Sequence, residues 1–311
     1  MTFDRTALVA HARDSIARGS KSFGAASKLF DPAIRERAWL LYAWCRACDD
    51  LADGQEMGHG MTAVADPAER LATIRARTAA ALAGEPSGDP AFDGFGIVAR
   101  ECAIPPVFAD ALIEGFALDT AAWRPRTEAD LYQYCYHVAG AVGLMMALVM
   151  GVSPDDDATL DRACDLGLAF QLANIARDIV EDAGVGRFYV PSAWLDEQGI
   201  PIDRIADPAF RDRLAILARR LADRAAAYES SARAGTPALS WRSAWAVLAA
   251  AGIYGDIGRE VARRGARAWD ERVGTSKAAK LGWVARAGFQ AIGRGRFEAK
   301  RSASLWTRPK A

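Results

Sequence analysis

Residues 171–191 read Gln171-Leu-Ala-Asn174-Ile-Ala-Arg177-Asp178-Ile-Val-Glu-Asp182-Ala-Gly-Val-Gly186-Arg187-Phe-Tyr-Val-Pro191. Apolar residues recur there at three- and four-residue steps, which predicts a helix. At about 100° per residue, Gln171, Asn174, Asp178 and Asp182 fall within an arc of roughly 80° on one face. An earlier stretch, Cys45-Arg46-Ala-Cys48-Asp49-Asp50-Leu-Ala-Asp53-Gly54, repeats the device, with Asp49 and Asp53 four residues apart and Tyr42 and Arg46 on neighbouring turns. Like charges at that spacing cost a few tenths of a kcal/mol even in water, and burial raises the cost steeply. One such pair reads as a solvated helix face. Two, each in an otherwise apolar helix and accompanied by Arg, Asn and Gln, predict a buried, doubly acidic cavity that a cation fills.

Carboxylate and carboxamide oxygens are hard ligands that suit Mg²⁺ or Mn²⁺, and Mg²⁺ takes one or two protein carboxylates plus water and phosphate oxygens. A phosphorylated substrate would supply the remaining ligands, with Arg46 and Arg177 placed to bind its oxygens. There is no Gly-rich phosphate loop of either common pattern, so no nucleotide cofactor is expected.

Working outward, three- and four-residue apolar spacing persists nearly throughout and no segment alternates at two residues, so the chain reads as all-α. Helices of mostly 12 to 28 residues are broken at Asp31-Pro32, Gly54–Gly60, Gly84–Pro90, Ile104–Pro106, Ser153-Pro154, Gly199–Pro208 and Gly235–Pro237. No break is a long polar linker and no repeat of fixed period occurs, which favours a single domain over residues 1–311. The uncharged run Val138–Val152 is too short to span a bilayer and reads as a buried helix. Within the neighbouring Tyr134–Met146 run, Gly140 and Gly143 sit inside a helix at a cost of about 1 kcal/mol each, so something packs closely there, either another helix or a long apolar ligand.

Of the 311 residues 51% are hydrophobic, and Lys+Arg and Asp+Glu both number 39, so charge argues for no nucleic-acid partner. The distribution is uneven. From Ser276 to Ala311 nine basic residues face one acid, Glu298, with Trp283, Phe289, Phe297 and Trp306 among them. This basic tail is either a solvated terminus or a peripheral contact with an anionic membrane. Five scattered cysteines and an N-terminus without a basic-then-apolar leader fit a reducing cytoplasm, peripheral at the inner membrane face if the tail binds lipid. Cys45 and Cys48 form a lone C-x-x-C inside a helix, a weak match to a zinc or redox site.

At these residues the chain resembles the squalene and phytoene synthase family of head-to-head prenyl transferases. The motifs stand in order: Gly19 to Phe23, Tyr42 to Asp53, Tyr134 to Gly143, Gln171 to Asp182, Gly186 to Pro191 and Asp270 to Val273. The run Leu41 to Gln55 is most similar to bacterial phytoene synthases of carotenoid pathways. The resemblance implies an all-α isoprenoid synthase fold with a central cavity, the two acidic motifs on facing walls, Mg²⁺, and two molecules of an allylic diphosphate. For a phytoene synthase these are geranylgeranyl diphosphates, joined head to head through a cyclopropyl diphosphate. The rival within the family is a squalene or dehydrosqualene synthase using two farnesyl diphosphates; pocket depth decides between them. A non-catalytic helical scaffold is the rival from another class, and it would have no need to keep four aspartates with Arg46, Asn174 and Arg177.

The resemblance implies metal and diphosphate contacts at Asp49, Asp53, Asn174, Asp178 and Asp182. It implies substrate contacts at Ser20, Lys21, Phe23, Tyr42, Arg46, Gln171, Arg177, Tyr254 and Arg272. Tyr136 matches a tyrosine of the family's central motif, with a proton-transfer or cation-stabilising role. Gly19 departs from the pattern, standing where some relatives have histidine.

Overall fold

Three helices begin with the same two residues, an aspartate that caps and a proline that starts the first turn. The carboxylates of Asp31, Asp66 and Asp89 accept from the backbone N–H of Ile34, Glu69 and Ala91 ahead of Pro32, Pro67 and Pro90. The cap satisfies an orphaned donor and proline's missing N–H costs nothing there. The computed structural model describes residues 4–54, 66–297 and 299–310, without the side chains of Lys21, Ser22 and Ala25. The break expected at Gly54–Gly60 therefore lies mostly outside the described residues; Gly54 itself ends its helix with φ 64°.

The helices are α1 (Arg5–Gly19), α2 (Lys21–Ser27), α3 (Pro32–Asp53), α4 (Pro67–Ala83), α5 (Pro90–Glu101), α6 (Pro106–Thr120) and α7 (Glu128–Cys135). A π-helical turn, Tyr136–Gly140, joins α7 to α8 (Ala141–Val149). There follow α9 (Asp157–Gly184), α10 (Ser192–Glu197), α11 (Arg211–Arg233), α12 (Trp241–Arg264) and α13 (Lys277–Ile292). No described residue lies in a strand, and no helix among them is long and apolar enough to cross a membrane. One buried apolar cluster draws on every helix except α2.

The spine is α9, 28 residues and about 42 Å long. Its close approach to the α7–α8 segment explains the expected glycines. A Cβ at Gly143 would stand 2.4 Å from the Ala163 carbonyl, and one at Gly167 2.4 Å from that of Ala139. Another helix is thus what packs against Gly143. The face of the same segment carrying Val138, Val142, Met146 and Met150, at four-residue steps, is left to line a cavity.

The basic tail is not a solvated terminus. Residues 299–310 fold back along the first half of α9, whose Asp157, Asp161 and Asp165 recur at four-residue steps on one face. Arg301 holds buried Asp165 through two bonds of 2.8 and 2.7 Å. Arg308 and Lys310 meet Asp161 at 2.8 and 3.0 Å. Opposite charges brought together across more than a hundred residues make this segment a strap, and several of its cations are engaged within the protein.

Candidate active site

The early and middle acidic pairs line one hollow. From α3 come Tyr42, Cys45, Arg46, Asp49 and Asp53; from α9 come Gln171, Asn174, Arg177, Asp178 and Asp182. Asp119 of α6, Tyr134 of α7, and Arg187 and Tyr189 beyond α9 complete a cavity of about 390 Å³. A second cavity of about 420 Å³, almost wholly apolar in lining, shares Tyr42, Cys45, Val138, Val142, Gln171 and Asn174 with the first. The two are one chamber with an acidic head and an apolar body. The stripe expected on α9 reaches the acidic head intact.

Arginines answer most of the acids. Arg46 pairs with Asp49 at 2.6 Å and Arg187 with Asp53 at 2.6 Å. Asp178 accepts from the adjacent Arg177 at 2.8 Å and from Arg272 at 3.3 Å. Among the described residues the Asp182 carboxylate has no hydrogen bond or ion pair to answer it. Burial, then the neighbouring Asp178 charge, pushes the Asp182 carboxyl up to about 7. Burial likewise pushes Asp49 up to about 6 against the pull of Arg46, with Asp53 and Asp50 adding to the rise. The head thus carries more negative charge than its own arginines neutralise, in a partly desolvated place.

Among the described residues no group of three or more acidic, histidine or cysteine side chains converges on one point as a ready-made ion cage. The donor set is nevertheless a fit for hard divalent cations, because each wall offers two carboxylates and α9 adds the Asn174 amide. Ions bound by one or two carboxylates each would take their remaining ligands from water and phosphate.

At the junction of head and body stand four aromatic rings. Phe170 stacks on Tyr254 at 4.4 Å, Phe23 on Tyr254 at 5.8 Å, and Phe23 tilts against Tyr42 at 6.3 Å. Gly19 sits beside them, and a Cβ there would come within 2.5 Å of the Tyr42 hydroxyl. In this chain Tyr42 fills the space that a side chain at 19 would need.

Several expected residues stand elsewhere. Tyr136 lines neither part of the chamber. Tyr134 and Val138 face the hollow, and Tyr136, two residues from each and so about 200° around from Tyr134, is buried behind it, 5.9 Å from the Trp306 ring of the strap. The Ser20 hydroxyl accepts from the Phe23 N–H as a helix cap and is not among the lining residues. Arg272 sits at the rim, bound to Asp178 and Glu181. The Lys21 side chain lies outside those described. Cys48 is buried in the core while Cys45 lines the chamber, and burial pushes the Cys45 thiol up to about 12.

Sequence reasoning missed one cluster. Tyr134 and Tyr189, stacked at 4.8 Å, both donate to Asp119, at 3.1 and 2.9 Å. Burial raises the Asp119 carboxyl. Tyr134 and Tyr189 stood inside two of the ordered motifs with no role assigned, and Asp119 showed only as an acid at the end of α6.

The squalene/phytoene synthase profile matches residues 16–279. The chain belongs to the squalene/phytoene synthase family. Among curated relatives of this family, the 15-cis-phytoene synthase of Pantoea ananas is 47% identical over 97% of this chain and 98% of its own length. That of Enterobacter agglomerans is 48% identical over 94% and 99%. A crystal structure of a dehydrosqualene synthase in complex with ligand superposes with a TM-score of 0.82 at 24% identity, covering 93% of this chain and 98% of that one, a likeness of fold. The squalene/phytoene synthase motifs at Tyr42–Asp53, Gln171–Asp182 and Gly186–Pro191 all contribute side chains to the acidic head, and Arg187 and Tyr189 join the site through the third.

Proposed function

We propose that this family member is a phytoene synthase, joining two geranylgeranyl diphosphates head to head with Mg²⁺ and releasing two diphosphates. The observation that carries the reading is the single chamber, with two aspartate pairs facing across its head and an apolar body opening beneath them. Divalent ions, when bound, would neutralise the departing diphosphate, and Asp49, Asp53, Asn174, Asp178 and Asp182 are the residues to hold them. Arg46, Arg177 and Arg187 are already in the head as charge-assisted donors for phosphate oxygens.

Ionisation of one allylic C–O bond leaves a cation, which the 2,3 double bond of the second substrate attacks; loss of a proton then closes the three-membered ring, giving a cyclopropyl diphosphate. A second ionisation, rearrangement and loss of a proton give the triene centre of phytoene. Water would capture either cation as an alcohol, so the body must stay dry. Its apolar lining from α8, α9 and α12 and the rings of Phe23, Tyr42, Phe170 and Tyr254 serve that end. The Asp119–Tyr134–Tyr189 cluster borders the head and fixes the tyrosine hydroxyls toward a carboxylate rather than toward the cation.

The product is a hydrocarbon that needs an apolar sink, and the protein is read as peripheral at an anionic membrane. With Arg301, Arg308 and Lys310 of the strap engaged by the aspartates of α9, α13 is the surface that supports this. Leu281, Phe289 and Ile292 are each more than 70% exposed on it, beside exposed Lys277 and Arg286 and with no acid in the helix.

The activity is tested by incubating purified protein with Mg²⁺ and geranylgeranyl diphosphate and identifying the product by mass spectrometry. A C40 hydrocarbon and diphosphate are expected. Turnover of farnesyl diphosphate alone, to a C30 product, would transfer the chain to the squalene or dehydrosqualene branch. No turnover of either would favour a scaffold.

A further inference from the structure

The apolar body has a far end as well as a mouth. On α9 its lining descends from Asn174 and Gln171 through Phe170 and Gly167 to Arg162 and Thr159. Asn174 and Thr159 are 15 residues apart, about 22 Å of helix. On the opposite wall Tyr254 of α12 stacks on Phe170 near the mouth, while Leu239, just before α12, lines the far end with Gly235 and Thr236. The far end is therefore closed by the α11–α12 connection against the first half of α9.

Arg162 is the only charged side chain among the described residues that line this body. Its guanidinium is tied outside the hydrocarbon space. One nitrogen donates to the Ser231 carbonyl at 2.8 Å and another to the carbonyl of Ala299 in the strap. Ser231 is in the last turn of α11, and its carbonyl accepts from the Ala234 N–H at 3.1 Å as well as from Arg162. With the head held by two backbone acceptors, the methylene stem is what borders the body. A Cβ on Gly235 would stand 2.9 Å from Arg162 Cβ and 3.2 Å from Cδ. The glycine is thus what leaves the stem its place.

We propose that the Arg162 stem, seated against Gly235, is the floor of the chamber and sets the length of prenyl chain it accepts. This rests on the prenyl diphosphate reading of the site and extends it to a chain-length gauge. A stem tethered at its tip is a fixed stop. An apolar pocket discriminates about tenfold or more for each methylene it accommodates or excludes, so moving the floor by a few atoms shifts selectivity by at least that factor.

The test compares kcat/KM for C15, C20 and C25 prenyl diphosphates with Mg²⁺ in the full chain and in Arg162→Ala, Arg162→Lys and Gly235→Ala, with melting temperatures alongside. Arg162→Ala removes the stop and raises the C25-to-C20 ratio about tenfold or more. Gly235→Ala crowds the floor and lowers the C20-to-C15 ratio by a similar factor. Arg162→Lys keeps the three methylenes of the arginine stem and adds a fourth, so the stop stays in place and the parent ratios with it. Unchanged ratios in folded Arg162→Ala and Gly235→Ala overturn the proposal, as does Arg162→Lys behaving like Arg162→Ala, which would make the tether and not the stem decisive. A parent protein inert toward all three diphosphates overturns the activity itself and the gauge with it.

Discussion

Arg187, on the turn that follows α9, donates to the Asp53 carboxylate at the end of α3 at 2.6 Å, a contact between residues 134 apart in the chain. It binds the mouth of one acidic helix to the other. Burial works against the Arg187 charge, but the hydrogen bond and charge of Asp53 outweigh it and raise its pKa. This guanidinium is therefore a permanent cation in the head of the chamber, within reach of both aspartate pairs.

Arg187→Gln keeps a hydrogen-bond donor but removes the charge. A fall in kcat/KM of about 10²-fold is expected, the size of losing one donor to a developing anion. Stability should fall by about 1 kcal/mol or less, since the pair is only partly buried. Steady-state kinetics and thermal melts check both; a variant with more than half the parent activity would remove Arg187 from the site.

Asp182 gives a prediction of opposite sign for stability and activity. Its carboxylate has no hydrogen bond or ion pair among the described residues, and burial with the charge of Asp178 outweighs the pull of Arg187 and Arg177 on it. Asp182→Asn should therefore raise the melting temperature of metal-free protein by a few degrees while abolishing turnover. Scanning calorimetry in a chelator reads the first effect. A variant less stable than the parent would show that the Asp182 charge is compensated.

The pH dependence follows from the same residue. An aspartate titrates near 3.8 when unfolded, whereas folded Asp182 titrates at about 7 and Asp49 at about 6. Between those limits the native state holds more protons than the unfolded one, so both groups lower stability as pH rises through the window. Burial lowers the pKa of His137, which acts in the opposite sense. The clean quantity is the difference in melting temperature between Asp182→Asn and the parent without metal. It should widen from pH 5 to pH 8, and close when Mg²⁺ and inorganic diphosphate are added to the parent at pH 8. A difference flat across pH would sink the assignment.

The sequence made the all-helical fold and the α9 stripe legible because both are local: three- and four-residue spacing, proline and glycine punctuation, and one helix face. That Asp49 and Asp178 share a hollow was inferred from the cost of burying two like-charged pairs and from the family resemblance, since local spacing alone does not say which helices meet. Tyr136 was misplaced because its motif identifies a segment, not the face each residue presents. Asp119 stayed hidden because a lone acid acquires meaning only from two tyrosines supplied by other elements. The strap was read as free charge because Asp157, Asp161 and Asp165, which hold it, lie more than a hundred residues earlier.

That strap predicts a large structural cost. Asp165 is 1% exposed and depends on Arg301 for two of its hydrogen bonds, with Ser231 giving a third. Arg301→Ala leaves a buried carboxylate short of a counter-charge, and a loss of about 3 kcal/mol is expected. Arg301→Ala combined with Asp165→Asn should recover much of it, since the charge that needed compensation is gone. Denaturant unfolding of the two single variants and the double variant reads the coupling; strict additivity would deny the pair.

The strap and α13 make separable predictions about lipid. Ion pairs inside the protein are not available to a bilayer, whereas Leu281, Phe289 and Ile292 face outward with Lys277 and Arg286 beside them. Phe289→Glu with Arg286→Glu should leave the melting temperature within a few degrees of the parent, because neither side chain is buried. It should nonetheless abolish co-sedimentation with vesicles containing phosphatidylglycerol. Binding by the parent should weaken between 50 and 300 mM salt, as about 1 kcal/mol per basic residue near an anionic surface is screened within a Debye length. Vesicle binding that survives the double substitution would move the contact off α13. Binding equal on neutral and anionic vesicles would leave only the apolar residues to account for it.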